Sequence, residues 1–238
     1  MSLYRAKGVV LRTIKLGEAD RIISFMTEAH GKVRAVAKGV RKTKSRFGAR
    51  LEPTTHVALL LYEGRELDIV TQADGIDHYR AIREDLDRLA KAESLLEAVD
   101  QVAQERESDP RLYQMLLGAL RSLDERDAPL LVPAFFWKLL SHEGVHPLLD
   151  QCAQCGATDG LVAFDLTVGG TLCRSCRSGG PVSLEALQLL RRILGGGLSS
   201  CLAEPDSPAT REVEHLATAA LEGHLERRLR SISVLDRG

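Results

Sequence analysis

Aromatic residues make up only 4% of the 238 positions, and there is a single tryptophan. Proteins that grip nucleobases usually spend aromatic side chains on stacking. Any polyanion bound by this chain should therefore be held mostly through charge. No run of about twenty apolar residues occurs, so no membrane-spanning helix is expected. The start, Met1-Ser2-Leu3-Tyr4-Arg5-Ala6-Lys7, has no hydrophobic signal core, which predicts a cytoplasmic protein. The sequence contains no P-loop, no G-x-G-x-x-G, no G-x-S-x-G and no H-E-x-x-H, and no grouping of acids that demands catalysis. Enzymatic activity is not expected. Cysteine is scarce, with five residues. In a reducing compartment, cysteine pairs point to metal more often than to disulfide.

One absence is local. Between His30 and Leu51 there is no carboxylate, while Lys32, Arg34, Lys38, Arg41, Lys42, Lys44, Arg46 and Arg50 supply eight cations. Such a segment repels itself unless a polyanion lies among its charges, and a nucleic-acid backbone releases condensed counterions when it is neutralised this way. The formal net charge of −1 conceals an asymmetry: residues 1–78 hold 14 Lys/Arg against 9 Asp/Glu, and the remainder 18 against 24. A basic front half on an acidic rear half suggests a polyanion-binding domain joined to one with another role. At 44% hydrophobic and 27% charged, the chain can bury a core.

The first 78 residues read as five short strands at about 8–14, 21–27, 32–38, 55–62 and 67–71, with glycine-containing turns. This predicts a five-stranded OB-fold barrel, a common holder of single-stranded nucleic acid. In the third strand, alternation sets Lys32, Arg34, Val36 and Lys38 on one face and Val33, Ala35 and Ala37 on the other. From Ile82 the apolar period becomes helical. Helices are expected at about 82–106, 111–123, 130–143, 184–194 and 212–229. The class is therefore α+β: an OB-fold domain over 1–78, then an α-helical domain over 79–238.

Within the helical part, a cysteine-rich element occupies about 150–178. Cys152-Ala-Gln-Cys155 and Cys173-Arg-Ser-Cys176 are two C-x-x-C pairs at the separation of a structural four-cysteine zinc site. Two redox dithiols or four buried thiols are the alternatives. A closed four-thiolate shell leaves no open coordination position, so a zinc here would be structural. Cys201 fits no pair and is expected to pack as a small hydrophobe. Phe135, Phe136 and Trp137 are expected in a helix core, and His142 and His146 at a helix end. Phe47, inside the basic loop, is the stacking candidate.

The chain resembles the bacterial RecO family of recombination and repair proteins. The resemblance rests on Gly8-Val9-Val10-Leu11, Gly17-Glu18-Ala19-Asp20, Phe25-Met26-Thr27, the segment Gly31 to Arg41, and Leu51-Glu52-Pro53. It continues in Phe136 to Leu140, in Cys152 to Gly156, in Phe164-Asp165 and in Gly169 to Cys173. It implies an OB-fold, a helical domain with a zinc element, and a nucleoid-associated mediator of the RecF pathway. Such a protein binds single- and double-stranded DNA, anneals complementary strands, and with RecR helps RecA replace single-strand-binding protein. DNA contacts are then expected at Lys32, Arg34, Lys38, Arg41, Lys42, Lys44, Arg46 and Phe47. The reading from another class is a zinc-stabilised adaptor whose basic face docks acidic proteins.

Overall fold

The structure, a computed structural model, describes residues 2–43, 45 and 47–231. Five strands, β1 (Leu3–Leu16), β2 (Asp20–Thr27), β3 (Gly31–Ala37), β4 (His56–Tyr62) and β5 (Asp68–Asp77), close a barrel in the order β1-β2-β3-β5-β4. All neighbours are antiparallel except β3 and β5, which run parallel at Ala35/Asp68 and Val36/Ile69. This is the OB-like barrel expected from the strand-and-turn pattern. Strand β1 is longer than the local pattern implied because it pairs with two neighbours, with β4 over Leu3–Val9 and with β2 over Gly8–Leu16. An irregularity in the β1–β2 register between Val10 and Arg12 bends it from one partner to the other.

The period-2 alternation fixes which side chains fill the barrel. Val33, Ala35 and Ala37 of β3 join Val10, Ile23, Phe25, Val57, Leu59, Leu61 and Val70 in one buried cluster. Truncating Phe25 to alanine there would cost about 3–5 kcal/mol, because the barrel wall cannot collapse into the space. Gly31 starts β3 at φ +59, and a Cβ on it would stand 1.7 Å from the Glu107 carbonyl oxygen. Only glycine allows that approach. It lets residues 104–106 lie along the start of β3, where the Lys32 N–H donates to Gln104 O and the Arg106 N–H to Lys32 O.

The chain divides into two compact units, residues 1–126 with 229–238, and residues 127–228. The first therefore includes helices α1 (Arg80–Glu84), α2 (Leu86–Val102) and α3 (Pro110–Glu125) as well as the barrel. The Asp85 carboxylate caps α2 by accepting from the Asp87 and Arg88 N–H groups. Asp109 caps α3 by accepting from Leu112, with Pro110 in its first turn.

The second unit holds α4 (Leu131–His142), the strands β6 (Leu161–Asp165), β7 (Gly170–Cys173) and β8 (Gly180–Pro181), then α5 (Leu184–Leu194), α6 (Leu198–Cys201) and α7 (Pro208–His224). Phe136 and Trp137 are buried in α4, and the Trp137 ring meets Phe164 edge-on at 5.9 Å. Helix α7 starts four residues earlier than the apolar period suggested. A Ser207/Thr210 capping box and Pro208 nucleate it there. Cys201 is fully buried, as a small hydrophobe would be. Among the described residues no helix is long and apolar enough to cross a membrane.

Candidate nucleic-acid interface and metal centre

The basic segment leaves the barrel at the end of β3 and folds back on the β1–β2 turn. The Asp20 carboxylate accepts from the Gly39 N–H at 2.7 Å, Ala19 O accepts from the Arg41 N–H at 2.9 Å, and Gly17 O accepts from Arg41 Nη1 at 3.2 Å. These bonds hold an otherwise irregular loop beside one of the two loops that line the ligand face of OB barrels. Lys38, Arg41 and Lys42 are exposed, and among the described residues no carboxylate pairs with them. Lys44 and Arg46 lie outside the described residues.

The two cations on β3 itself have partners. Lys32 Nζ donates to the Asp100 main-chain carbonyl at 2.7 Å and lies 3.9 Å from its carboxylate. Arg34 Nη1 lies 3.4 Å from Glu105. Arg12, on β1, reaches the same Asp100 carboxylate at 3.3 Å. Two of the eight cations in the segment without carboxylates thus find acidic partners elsewhere in the chain. The acids come from α2 and the segment after it, about seventy positions away, and sequence proximity could not reveal them. Phe47 is also corrected. It is 1% exposed and plugs the barrel core together with Leu51, from the short 3₁₀ turn Gly48–Leu51. A base cannot stack on it, because hydrophobic burial has already claimed its ring.

At the mouth of the barrel the fully buried Asp68 carboxylate is bonded by the Tyr4 hydroxyl, by the Gly64 N–H at 3.0 Å and by Arg106 Nη2 at 2.6 Å. Burial pushes its pKa up. The donors outweigh that effect and hold it below the ordinary carboxylate value. Arg106 stands at φ +64, and this salt bridge anchors the post-α2 segment to the barrel.

The four predicted metal ligands converge. The sulfurs of Cys152, Cys155, Cys173 and Cys176 all lie within 4.8 Å of one another, and Cys155 and Cys173 are 3.7 Å apart. Four sulfurs at about 2.3 Å from a central zinc would be spaced about 3.8 Å apart along tetrahedral edges. The donor set therefore fits a thiophilic cation with sulfur shifts of about an ångström at most. Each pair sits on a tight turn. Cys152 O accepts from the Gly156 N–H at 2.9 Å, with Gly156 at φ +77, and Cys173 O accepts from the Cys176 N–H at 3.2 Å. The Cys173 N–H, and after it those of Cys155 and Gln154, favour the Cys152 thiolate and lower its pKa to about 6. Cys176 is pushed up to about 12, first by its bond to the Cys155 sulfur and then by burial. Main-chain donors thus favour the thiolate at Cys152, and a bound cation would displace the proton that crowding and burial favour at Cys176.

Sequence spacing identified these four ligands but not their support. Asp165 closes the β6–β7 turn by accepting from the Thr167 and Val168 N–H groups, and Ser178 Oγ donates to it at 2.6 Å. That bond ties the chain leaving the second cysteine pair to the hairpin. Around the sulfurs the apolar cluster is small: Ala163 and Leu172, flanked by Ala153, Ala157 and Leu161. His146 Nδ1 lies 2.8 Å from Ser141 Oγ and is not among the clustered ligands.

The two halves of the chain match known sequences. Residues 1–79 match the family described as recombination protein O N terminal, and residues 83–232 the family described as recombination protein O C terminal. A protein of Frankia casuarinae described as DNA repair protein RecO is 46% identical over 243 residues, covering 100% of both chains. The barrel, the clustered cysteines and these matches agree, and the chain belongs to the RecO family of DNA repair proteins.

Proposed function

We propose that this protein is a recombination mediator that binds single- and double-stranded DNA through the loop after β3 and anneals complementary strands. With RecR it promotes loading of RecA onto DNA coated by single-strand-binding protein. The observation that carries the DNA contact is the trio Lys38, Arg41 and Lys42, exposed and unmatched by carboxylates on a loop anchored to the β1–β2 turn. Lys44 and Arg46 extend the same charged run in sequence. Two strands lying on one cationic surface repel each other less, so encounter and pairing accelerate. Binding of this kind is weakly sequence-selective and steeply salt-dependent.

The metal is zinc, and its role is structural. Cys152, Cys155, Cys173 and Cys176 would hold it, and four thiolates would leave no position for substrate or water. It stabilises an element whose own apolar cluster is too small to fold without help.

The deciding experiment is annealing of complementary oligonucleotides precoated with single-strand-binding protein. Acceleration by the zinc-loaded chain, further increased by RecR, is the expected outcome. A folded, zinc-loaded sample that binds DNA without accelerating annealing would overturn the mediator role.

A further inference from the structure

We propose that an apolar band around the outside of the barrel is a platform for the bases of single-stranded DNA. This rests on the DNA-binding role proposed above and extends it from phosphates to bases.

The band follows from strand register. Ile14 is paired with Ile22, Ile22 with Val36, Val36 with Ile69, Ile69 with Tyr62, and Tyr62 with Leu3. Their neighbours along the strands, Ile23, Ala35, Val70, Leu61 and Tyr4, belong to or pack against the barrel core, so alternation turns the six outward. Leu3, Ile14 and Tyr62 are 59%, 41% and 37% exposed, and Ile22, Val36 and Ile69 are half-buried. The solvent face of an antiparallel sheet ordinarily carries polar residues at such positions. Here one apolar side chain comes from every strand, and β1 supplies both ends because it pairs with β2 and β4 alike. At about 4.8 Å per strand step the band is about 24 Å long. That is room for about four nucleotides, the lower end of the site size of one OB domain.

The border identifies the occupant. Two positions along the same faces stand Arg5 beside Leu3, Arg12 beside Ile14, and Arg34 and Lys38 on either side of Val36. Asp100 and Glu105 hold the Arg12 and Arg34 guanidiniums in place, while no carboxylate pairs with Arg5 or Lys38 among the described residues. An apolar strip edged with cations suits a ligand that has flat apolar faces and a phosphate backbone. A duplex hides its base faces, so the platform acts on single strands alone. Aliphatic side chains and Tyr62 thus take the place of the aromatic pairs that the composition lacks.

The test measures binding of three probes at one salt concentration: a base-bearing single strand, an abasic strand of equal length, and a duplex. The native protein should bind the base-bearing strand about tenfold more tightly than the abasic strand. In the Ile22→Ser/Val36→Ser variant that preference should fall to about twofold or less, with duplex affinity unchanged. Tyr62→Ala, at an exposed position within the band, should lower the preference in the same direction and serves if the double variant does not fold. Equal binding of base-bearing and abasic strands by the native protein overturns the platform. So does a folded variant that keeps the preference, or one that loses duplex binding to the same degree. A native protein that binds none of the three probes instead overturns the DNA-binding role on which the platform rests.

Discussion

Lys32 Nζ donates to the main-chain carbonyl of Asp100 at 2.7 Å, and the same Asp100 offers its carboxylate to Arg12. A lysine drawn from the most basic stretch of the chain is thereby spent on joining the barrel to α2. It is also largely removed from water, with its side chain 15% exposed. Lys32→Ala should lower folding stability by about 1–2 kcal/mol, the cost of losing a hydrogen bond from a charged donor. Urea denaturation measures this, and an unchanged midpoint would show that the contact contributes nothing.

Lys38 and Lys42 make the opposite case. Their side chains are exposed and have no carboxylate partner among the described residues. Lys38→Ala/Lys42→Ala should leave the urea midpoint in place and weaken binding of every DNA sequence alike. It should also reduce the slope of log affinity against log salt by about 1.4 on single strands and about 1.8 on duplex. Fluorescence anisotropy across a salt series reads both quantities. An unaltered slope would remove these lysines from the interface.

At the cysteine cluster, the native chain should carry about one zinc per molecule, as expected of a single four-ligand site. Cys155→Ser should reduce metal content and thermal stability while changing DNA affinity little, because the cysteines lie outside the barrel. Elemental analysis and melting curves provide the check. Four freely titratable thiols in a folded native sample would show that the chain is stable without metal.

A pH effect should arise at His56, which is buried with Nε2 2.8 Å from the Tyr113 hydroxyl. Burial first, and then the nearby Arg121 cation, hold its pKa below the ordinary 6.5. The folded protein keeps this imidazole neutral, whereas the unfolded chain takes up a proton near the ordinary value. The associated stability is complete above the unfolded pKa and is lost as pH falls from there towards the folded value. His56→Gln should flatten the decline in stability between pH 7.5 and 5.5, as measured by denaturant midpoints. An identical decline in both proteins would place its origin elsewhere.

Much of this architecture was legible in the sequence, for a physical reason. Strand alternation, C-x-x-C turns and helix caps are encoded by residues a few positions apart. Val33, Ala35 and Ala37 were assigned to the barrel interior by period alone, and they lie there. The helix expected at 184–194 forms there, capped by Ser183, which accepts from the Ala186 N–H. The four cysteines that converge were named as candidate metal ligands from spacing, because each tight turn fixes two sulfurs locally.

Tertiary structure decided what depends on distant neighbours. Charge counting along the chain could not show that Asp100 and Glu105 return to meet Lys32 and Arg34, since Coulomb attraction acts through space and not along the sequence. Phe47 looked available inside a polar loop until the 3₁₀ turn carried it into the barrel, where burying its ring outweighs leaving it in water. The outer apolar band exists only once five strands have taken up their register, because its paired members lie between seven and fifty-nine positions apart along the chain. The sequence by itself determined the barrel, the ligand set and the location of the positive charge. Only the closed fold determined which of those charges are left to face a polyanion.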